Sequence, residues 1–192
     1  MLIENKNISD ELLWNSFLSG KESAYNSIYN RYAKPLIAQG LQFTADKELV
    51  KDCIHNVFVR IYKNRMNLKP VTNLKLYLFV ALKNNIISAM TKHKIDFELL
   101  DEQVRHSHLS DNCTIEDHLI DQETQYTNKM LISKILTQLT SRQREVVHYR
   151  FYENMSIDEI AVLMGMNYQS VQNLIQRSLK KISDLLKKYE KE

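Results

Sequence analysis

Residues 156–177 read SIDEIAVLMGMNYQSVQNLIQR, a pattern that predicts a helix-turn-helix. Ser156 and Glu159 have the spacing of a capping box at the start of a first helix. Gly165 can adopt the positive φ that a tight turn requires, and Asn167 can cap a second helix. The apolar residues keep helical spacing, so we expect a buried face on each helix: Ile157, Ile160, Ala161 and Met164 on the first, and Val171, Leu174, Ile175, Leu179 and Ile182 on the second.

The second helix of this motif has a polar face opposite its apolar residues. Gln and Asn side chains can bond adenine through two hydrogen bonds in the major groove, Arg can bond guanine, and Lys can hold phosphates. A pair of helices with an ordinary polar exterior is the alternative interpretation. If the polar face binds DNA, contacts are predicted for Gln169, Ser170, Gln172, Asn173, Gln176, Arg177, Lys180 and Lys181.

Helical patterns continue on the amino-terminal side of this motif. Thr140 and Gln143 form a second capping-box pattern, which predicts a helix from Arg142 to Phe151. Helical spacing of apolar residues begins near Met130. We therefore predict a carboxy-terminal domain over residues 128–192.

The first half of the chain also predicts helices, and the fold class is expected to be all-α. Only three Gly and two Pro occur among 192 residues, which leaves little material for hairpin turns. Residues 46–65 place apolar side chains on one helical face: Val50, Cys53, Ile54, Val57, Phe58 and Ile61. Three further helices are expected over residues 11–18, 22–43 and 74–90, which together predict a domain over residues 1–94.

Charge divides the chain into three parts, although the net charge is only +3. Residues 1–94 carry 14 Lys and Arg against 7 Asp and Glu, and residues 126–192 carry 11 against 7. Residues 95–125 carry 1 against 9 and lose the helical periodicity. Residues 95–127 are therefore interpreted as an acidic linker that can contain local helix. The two basic segments on either side suit a protein that binds nucleic acid. A solvated surface with a local acidic cluster explains the charge equally well.

Several classes of protein have no support in the sequence. The two cysteines, Cys53 and Cys113, lie in unlike contexts, which argues against a disulfide, and no apolar run approaches the roughly 20 residues that a bilayer crossing needs. A cytoplasmic setting is expected. His106 and His108 lack the further ligands of a metal site, and no catalytic set of residues stands out. We expect no cofactor, no metal and no enzymatic activity.

Taken together, the motifs resemble those of extracytoplasmic-function sigma factors of the sigma-70 family. Residues 18–32, LSGKESAYNSIYNRY, resemble that family's opening, and residues 52–58, DCIHNVF, resemble its polymerase-binding helix. Residues 76–84, LYLFVALKN, resemble its promoter-melting helix. Residues 139–147, LTSRQREVV, together with the helix-turn-helix, resemble its reader of the upstream promoter element. The resemblance covers nearly the whole chain except the linker.

The resemblance implies a function and a set of partners. Such a protein binds core RNA polymerase, through the β′ clamp and the β flap, and directs initiation at specific promoters. Promoter DNA is then a partner, an anti-sigma factor is a plausible one, and no membrane insertion is implied. The helix-turn-helix would read the −35 element. Contacts with the −10 element would come from Lys83, Asn84, Asn85, Ser88 and Lys92, and contacts with the polymerase from Asp52, His55, Asn56, Phe58 and Val59.

Three positions depart from the family's usual pattern. His55 stands where the family usually has Gln, Asn56 where it has an acid, and Lys83 where it commonly has Arg. Two other functions remain open on the sequence. One is a DNA-binding regulator that acts without polymerase, and the other is an interaction protein whose helix-turn-helix is vestigial.

Overall fold

The computed structural model describes residues 8–98 and 124–189, and the side chains of residues 8–92 and 131–189. Within these ranges all regular structure is helical, which confirms the all-α fold class. The chain divides into two compact units, Met1–Leu109 and Ser110–Glu192, as expected for two small helical domains. Most of the predicted acidic linker lies outside the described residues, together with Cys113, His106 and His108.

Residues 8–98, the described part of unit 1 (Met1–Leu109), form four α-helices. They are α1 (Asp10–Leu18), α2 (Glu22–Gly40), α3 (Lys47–Lys63) and α4 (Leu74–Glu98), with a short 3-10 turn at Arg65–Asn67. Helix α2 packs against the other three helices, and α3 packs against α4. Unit 1 is therefore a small helical bundle in which α2 and α4 each contact all the other helices.

The core of unit 1 follows the periodicity of its sequence. All six apolar residues predicted on one face of α3, from Val50 to Ile61, are buried. Trp14 of α1 is buried as well, and its indole N–H donates to the carbonyl of Lys69 at 3.0 Å. Gln39 is fully buried, and its amide nitrogen donates to the carbonyl of Phe79 at 3.1 Å. These two bonds tie the loop before α4, and α4 itself, to the earlier helices.

Helix α1 is joined to α2 by a polar cluster around Asp10. The Arg31 guanidinium donates to the Asp10 carboxylate at 2.6 Å, and the Tyr32 hydroxyl donates to its other oxygen. Burial and then this hydrogen bond raise the pKa of the Tyr32 hydroxyl above its ordinary value of 10.0. The cluster therefore holds Tyr32 in its neutral form and fixes the first turn of α1 on α2.

Helices α2 and α3 meet closely at Gly40, the last residue of α2. A Cβ atom at this position would lie 2.4 Å from Cγ1 and 3.1 Å from Cγ2 of Val50. Val50 is fully buried. The absence of a side chain at Gly40 is therefore a packing requirement of this crossing.

In unit 2, Ser110–Glu192, the described residues 124–189 form four more α-helices. They are α5 (Thr124–Thr137), α6 (Ser141–Val147), α7 (Ile157–Met164) and α8 (Tyr168–Tyr189), with a π-helical turn at His148–Tyr152 between α6 and α7. The predicted capping box at α6 is confirmed, because Gln143 N–H donates to the Thr140 hydroxyl and the Gln143 side chain accepts from Thr140 N–H. Helix α8 packs against α5, α6 and α7.

Helix boundaries differ from the sequence expectation in three places. Helix α2 ends at Gly40 rather than Phe43, and the helix predicted over residues 142–151 is split into α6 and the π-helical turn. Helix α4 continues beyond Met90 to Glu98. The apolar pattern stops at Met90, but no Gly or Pro follows to break the helix. The segment predicted as a linker thus begins with helix from α4 and ends with helix from α5.

Across the two described ranges, no helix combines the length and the apolar character that a membrane crossing requires.

Candidate nucleic-acid interface

The helix-turn-helix predicted from the sequence is present in unit 2. Glu159 N–H donates to the Ser156 hydroxyl at 3.2 Å, and Ser156 N–H donates to the Glu159 carboxylate at 2.7 Å, which completes the predicted capping box. Gly165 ends α7 in the left-handed region, at φ 62° and ψ 39°. Ser170 N–H donates to the Asn167 side chain at 2.8 Å, so Asn167 caps the start of α8 as expected. The turn and both helix starts are fixed by local hydrogen bonds.

The contact between α7 and α8 differs in part from the predicted one. Ile160, Val171, Ile175 and Ser178 are buried as expected. Leu163 is also buried, although the sequence assigned that face to Met164, which is only half-buried. Ile157, Ala161, Leu174 and Ile182 are half-buried too, and Leu179 is 42% exposed. The buried stripe of α8 is therefore narrower than its apolar pattern indicates.

Solvent reaches the opposite face of α8, where the DNA contacts are predicted. Gln169, Gln176, Arg177 and Lys180 are exposed, and Ser170, Gln172, Asn173 and Lys181 are half-buried. We call Gln169, Gln172, Asn173 and Gln176 the amide face of α8. Residues 168–176 carry no charge, so the first charged residue of α8 is Arg177. The start of the helix thus presents neutral hydrogen-bonding groups, and its positive charge follows further along.

In unit 1, four of the five residues predicted to contact the −10 element line one groove. This groove, with a volume of about 670 Å³, lies between α3 and α4 and includes Asn84, Asn85, Ser88 and Lys92. Arg60 and Asn64 of α3 and Tyr77 of α4 also line it, together with small and aliphatic side chains. Its lining carries two charges among the described residues, Arg60 and Lys92, and both are positive. The α3–α4 groove therefore offers amide, hydroxyl and cationic groups to a ligand.

Lys83, the fifth predicted −10 residue, lies elsewhere on α4. At about 100° per residue, its side chain leaves the helix about 180° away from that of Lys92. Its ammonium group lies 5.4 Å from the centre of the Phe43 ring, which precedes α3. Lys83 therefore lies apart from the other four residues, although all five were predicted from one short stretch of sequence to contact the −10 element.

The polymerase contacts predicted on α3 are mostly surface residues. Asp52, His55 and Asn56 are exposed and Val59 is half-buried. Phe58 is different, because only 2% of it is exposed and its ring packs edge-on against Tyr25 and Tyr29. Phe58 therefore belongs to the core of unit 1 and not to a surface that a partner can reach.

Two groove residues, Arg60 and Asn64, were not among the predicted sites. Arg60 lies in the last turn of α3 and Asn64 is the C-cap of that helix four residues later, a spacing that places side chains on one helical face, so a helical projection could have grouped them. Their proximity to α4 depends on tertiary packing and gives no signal in the sequence. Cys53 lies beneath the α3 surface, where burial and then the Asp52 charge raise the pKa of its thiol, so we assign it to the core.

Comparisons with known proteins agree with this architecture. The family described as sigma-70, region 4, matches residues 129–182, which include α6, α7 and most of α8. An uncharacterized protein of Clostridium acetobutylicum is 26% identical over 174 residues, covering 85% of this chain and 88% of its own length.

Two solved structures share the fold. One is CnrH in complex with the cytosolic domain of CnrY, with 19% identity and a TM-score of 0.60 over 93% of this chain and 97% of CnrH. The other is the sigma factor RpoE in complex with the anti-sigma factor NepR from Bartonella quintana, with 17% identity and a TM-score of 0.61 over 85% of this chain and 96% of RpoE. At these identities the likeness establishes the fold.

Proposed function

We propose that this chain is a sigma factor of the sigma-70 family that selects promoters for a bacterial RNA polymerase, a proposal supported by the match of residues 129–182 to sigma-70 region 4 and by the shared fold. In this role it binds the core enzyme and directs initiation at specific sites. A sigma factor is a non-enzymatic initiation factor, so catalysis belongs to the polymerase. We place its action in the cytoplasm, where the polymerase works.

The observation that carries this proposal is the exposed polar face of α8 within the region 4 domain. A helix of this kind can enter the major groove with its amino-terminal residues against the base edges. The amide face supplies donors and acceptors for bases, while Arg177, Lys180 and Lys181 supply positive charge for phosphates. We assign this surface to the −35 element.

Unit 1 supplies the second DNA contact in this proposal. The α3–α4 groove combines Asn84, Asn85 and Ser88 with the cations Arg60 and Lys92, which suits a strand of DNA with an accessible base edge. We assign the groove to the −10 element, and we assign Lys83 to a phosphate outside it.

The exposed residues Asp52, His55 and Asn56, with Val59, form the surface that we assign to the β′ clamp of the polymerase. We assign contact with the β flap to unit 2. RpoE, which shares this fold, has been solved in complex with an anti-sigma factor, and we propose that this chain also binds an anti-sigma factor.

Reconstituted transcription tests the function. Purified full-length protein is added to sigma-free core polymerase and to a library of duplexes in which the promoter region is randomised. The 5′ ends of the transcripts are then sequenced. We expect initiation at a defined distance from two enriched sequence blocks, and no such initiation by core enzyme alone. Random start sites would contradict the proposal.

Adding a binding selection with the protein alone separates the rival functions. A regulator that acts without polymerase would enrich duplexes in that selection, yet it would add no specific start sites to transcription by core polymerase. An interaction protein with a vestigial helix-turn-helix would do neither.

A further inference from the structure

The start of α8 has no charged side chain until Arg177. The side chains most often used to read guanine are Arg and Lys, whereas Gln and Asn read adenine through its N6 donor and N7 acceptor. The four amides of the amide face lie within an arc of about 100° on the helix, opposite the buried Val171 and Ser178. The chemistry of this face therefore favours adenine.

Two of these amides are joined to each other. The Gln169 side-chain nitrogen donates to the side-chain oxygen of Asn173 at 3.2 Å, between positions four residues apart on α8. Gln169 is exposed, while Asn173 is half-buried. The less exposed amide thus bonds the more exposed one, which orients the Gln169 amide before any DNA is bound.

This bond leaves the base-reading edge of Gln169 available. An amide group has two N–H donors and a carbonyl acceptor. One N–H of Gln169 is directed at Asn173. When the N–H anti to the carbonyl oxygen is the one that donates to Asn173, the carbonyl oxygen and the syn N–H stay side by side and match the N6 donor and N7 acceptor of adenine.

We propose that Gln169 and Asn173 form one adenine-reading unit, in which Gln169 contacts the base and Asn173 is the positioning residue that orients it. The inference rests on the proposed function and deepens it, since it names the base that the upstream element must contain. An adenine opposite the start of α8 is then required in that element.

The test begins with the promoters selected from the randomised library by the reconstituted holoenzyme. We expect an adenine on one strand of the upstream block whose replacement by guanine lowers initiation by about 5- to 150-fold. Replacing the same adenine by 7-deazaadenine removes the N7 acceptor and leaves pairing intact, so initiation should fall by about 2- to 12-fold. The same substitution at neighbouring purines should have little effect.

Variants then connect this base to the two residues. With Gln169→Ala, both base changes should alter initiation by less than 2-fold, because the amide that senses them is gone. Asn173→Ala should weaken the discrimination by about 2- to 12-fold, and the double variant should match Gln169→Ala alone, since Asn173 acts through Gln169. Asn173→Asp keeps an acceptor for Gln169 and should retain the adenine preference. Gln138→Ala alters an exposed amide of unit 2 outside α8 and serves as the matched control.

The possible results are distinguishable. If no library member supports specific initiation, the proposed function fails. If initiation is specific but the upstream block shows no adenine that depends on Gln169, the adenine-reading unit is wrong and the function stands. If Asn173→Ala lowers initiation equally on every template and adds to Gln169→Ala, Asn173 has a structural role only, which also overturns the proposal.

Discussion

The crossing of α2 and α3 at Gly40 predicts a large loss of stability from a small change. In Gly40→Ala, the added Cβ would lie 2.4 Å from Cγ1 of Val50, about 1 Å inside ordinary van der Waals contact. Val50 is fully buried, so its side chain has no open space into which it can turn. The two helices must therefore move apart.

Two effects of this substitution oppose each other. Alanine favours a helix over glycine by up to about 1 kcal/mol at interior positions, and by less at Gly40 because it is the last residue of α2. Overpacking a well-filled core costs about 1–3 kcal/mol. We expect a net loss of about 1–3 kcal/mol, which corresponds to a fall of roughly 5–20 °C in the melting temperature of unit 1.

Circular dichroism during heating, supported by urea unfolding, measures this change. The double variant Gly40→Ala with Val50→Ala removes the clash from the other side, so its loss should be smaller than the sum of the two single losses by about 0.5–3 kcal/mol. A Gly40→Ala protein that melts at or above the wild-type temperature would refute the close crossing.

Three further predictions concern pH, polymerase and salt. Burial and the bond to Asp10 raise the pKa of the Tyr32 hydroxyl, so the stability that this raised pKa contributes is complete below pH 10 and is lost above it, at up to about 1.4 kcal/mol per pH unit. In Tyr32→Phe, the free energy of unfolding measured in urea should fall less steeply with rising pH. An unchanged dependence on pH would contradict the assignment. Asp52→Lys combined with Val59→Asp should reduce retention on immobilised core polymerase by at least about tenfold, roughly 1.4 kcal/mol, and undiminished retention would exclude this face. Lys180→Ala should weaken holoenzyme binding to all promoters alike and lower the slope of log K against log salt by about 1, whereas a loss confined to one sequence would mean that Lys180 reads a base.

The features that the sequence predicted best are those encoded by neighbouring residues. The capping boxes at Thr140 and Ser156 and the glycine turn at Gly165 each depend on a few consecutive positions, and all three are present. The buried face of α3 was predicted equally well because its six apolar residues repeat without interruption. Local hydrogen bonding and helical periodicity are sufficient to determine such elements.

The features that the sequence did not predict depend on how helices pack. The sequence assigned Phe58 two roles, one on the apolar face of α3 and one among the polymerase contacts, and only its packing against Tyr25 and Tyr29 decides between them. Lys83 is separated from the groove residues that follow it because the two flanks of α4 face different neighbours. The bond between Gln169 and Asn173 requires particular rotamers that spacing alone does not determine.

The uncharged start of α8 has a consequence for how promoter preference can change over evolution or in the laboratory. The groups that we propose choose a base lie at residues 169–176, and the first cations of the helix follow them in the chain. A substitution at Gln169 can therefore retarget the protein to a new promoter without altering its general attraction to DNA. Conversely, a change at Arg177 or Lys180 can adjust occupancy across all target genes together. Variants that recognise different promoters and do not act on one another's promoters could be made by changing residues 169–176 and keeping Arg177 and Lys180.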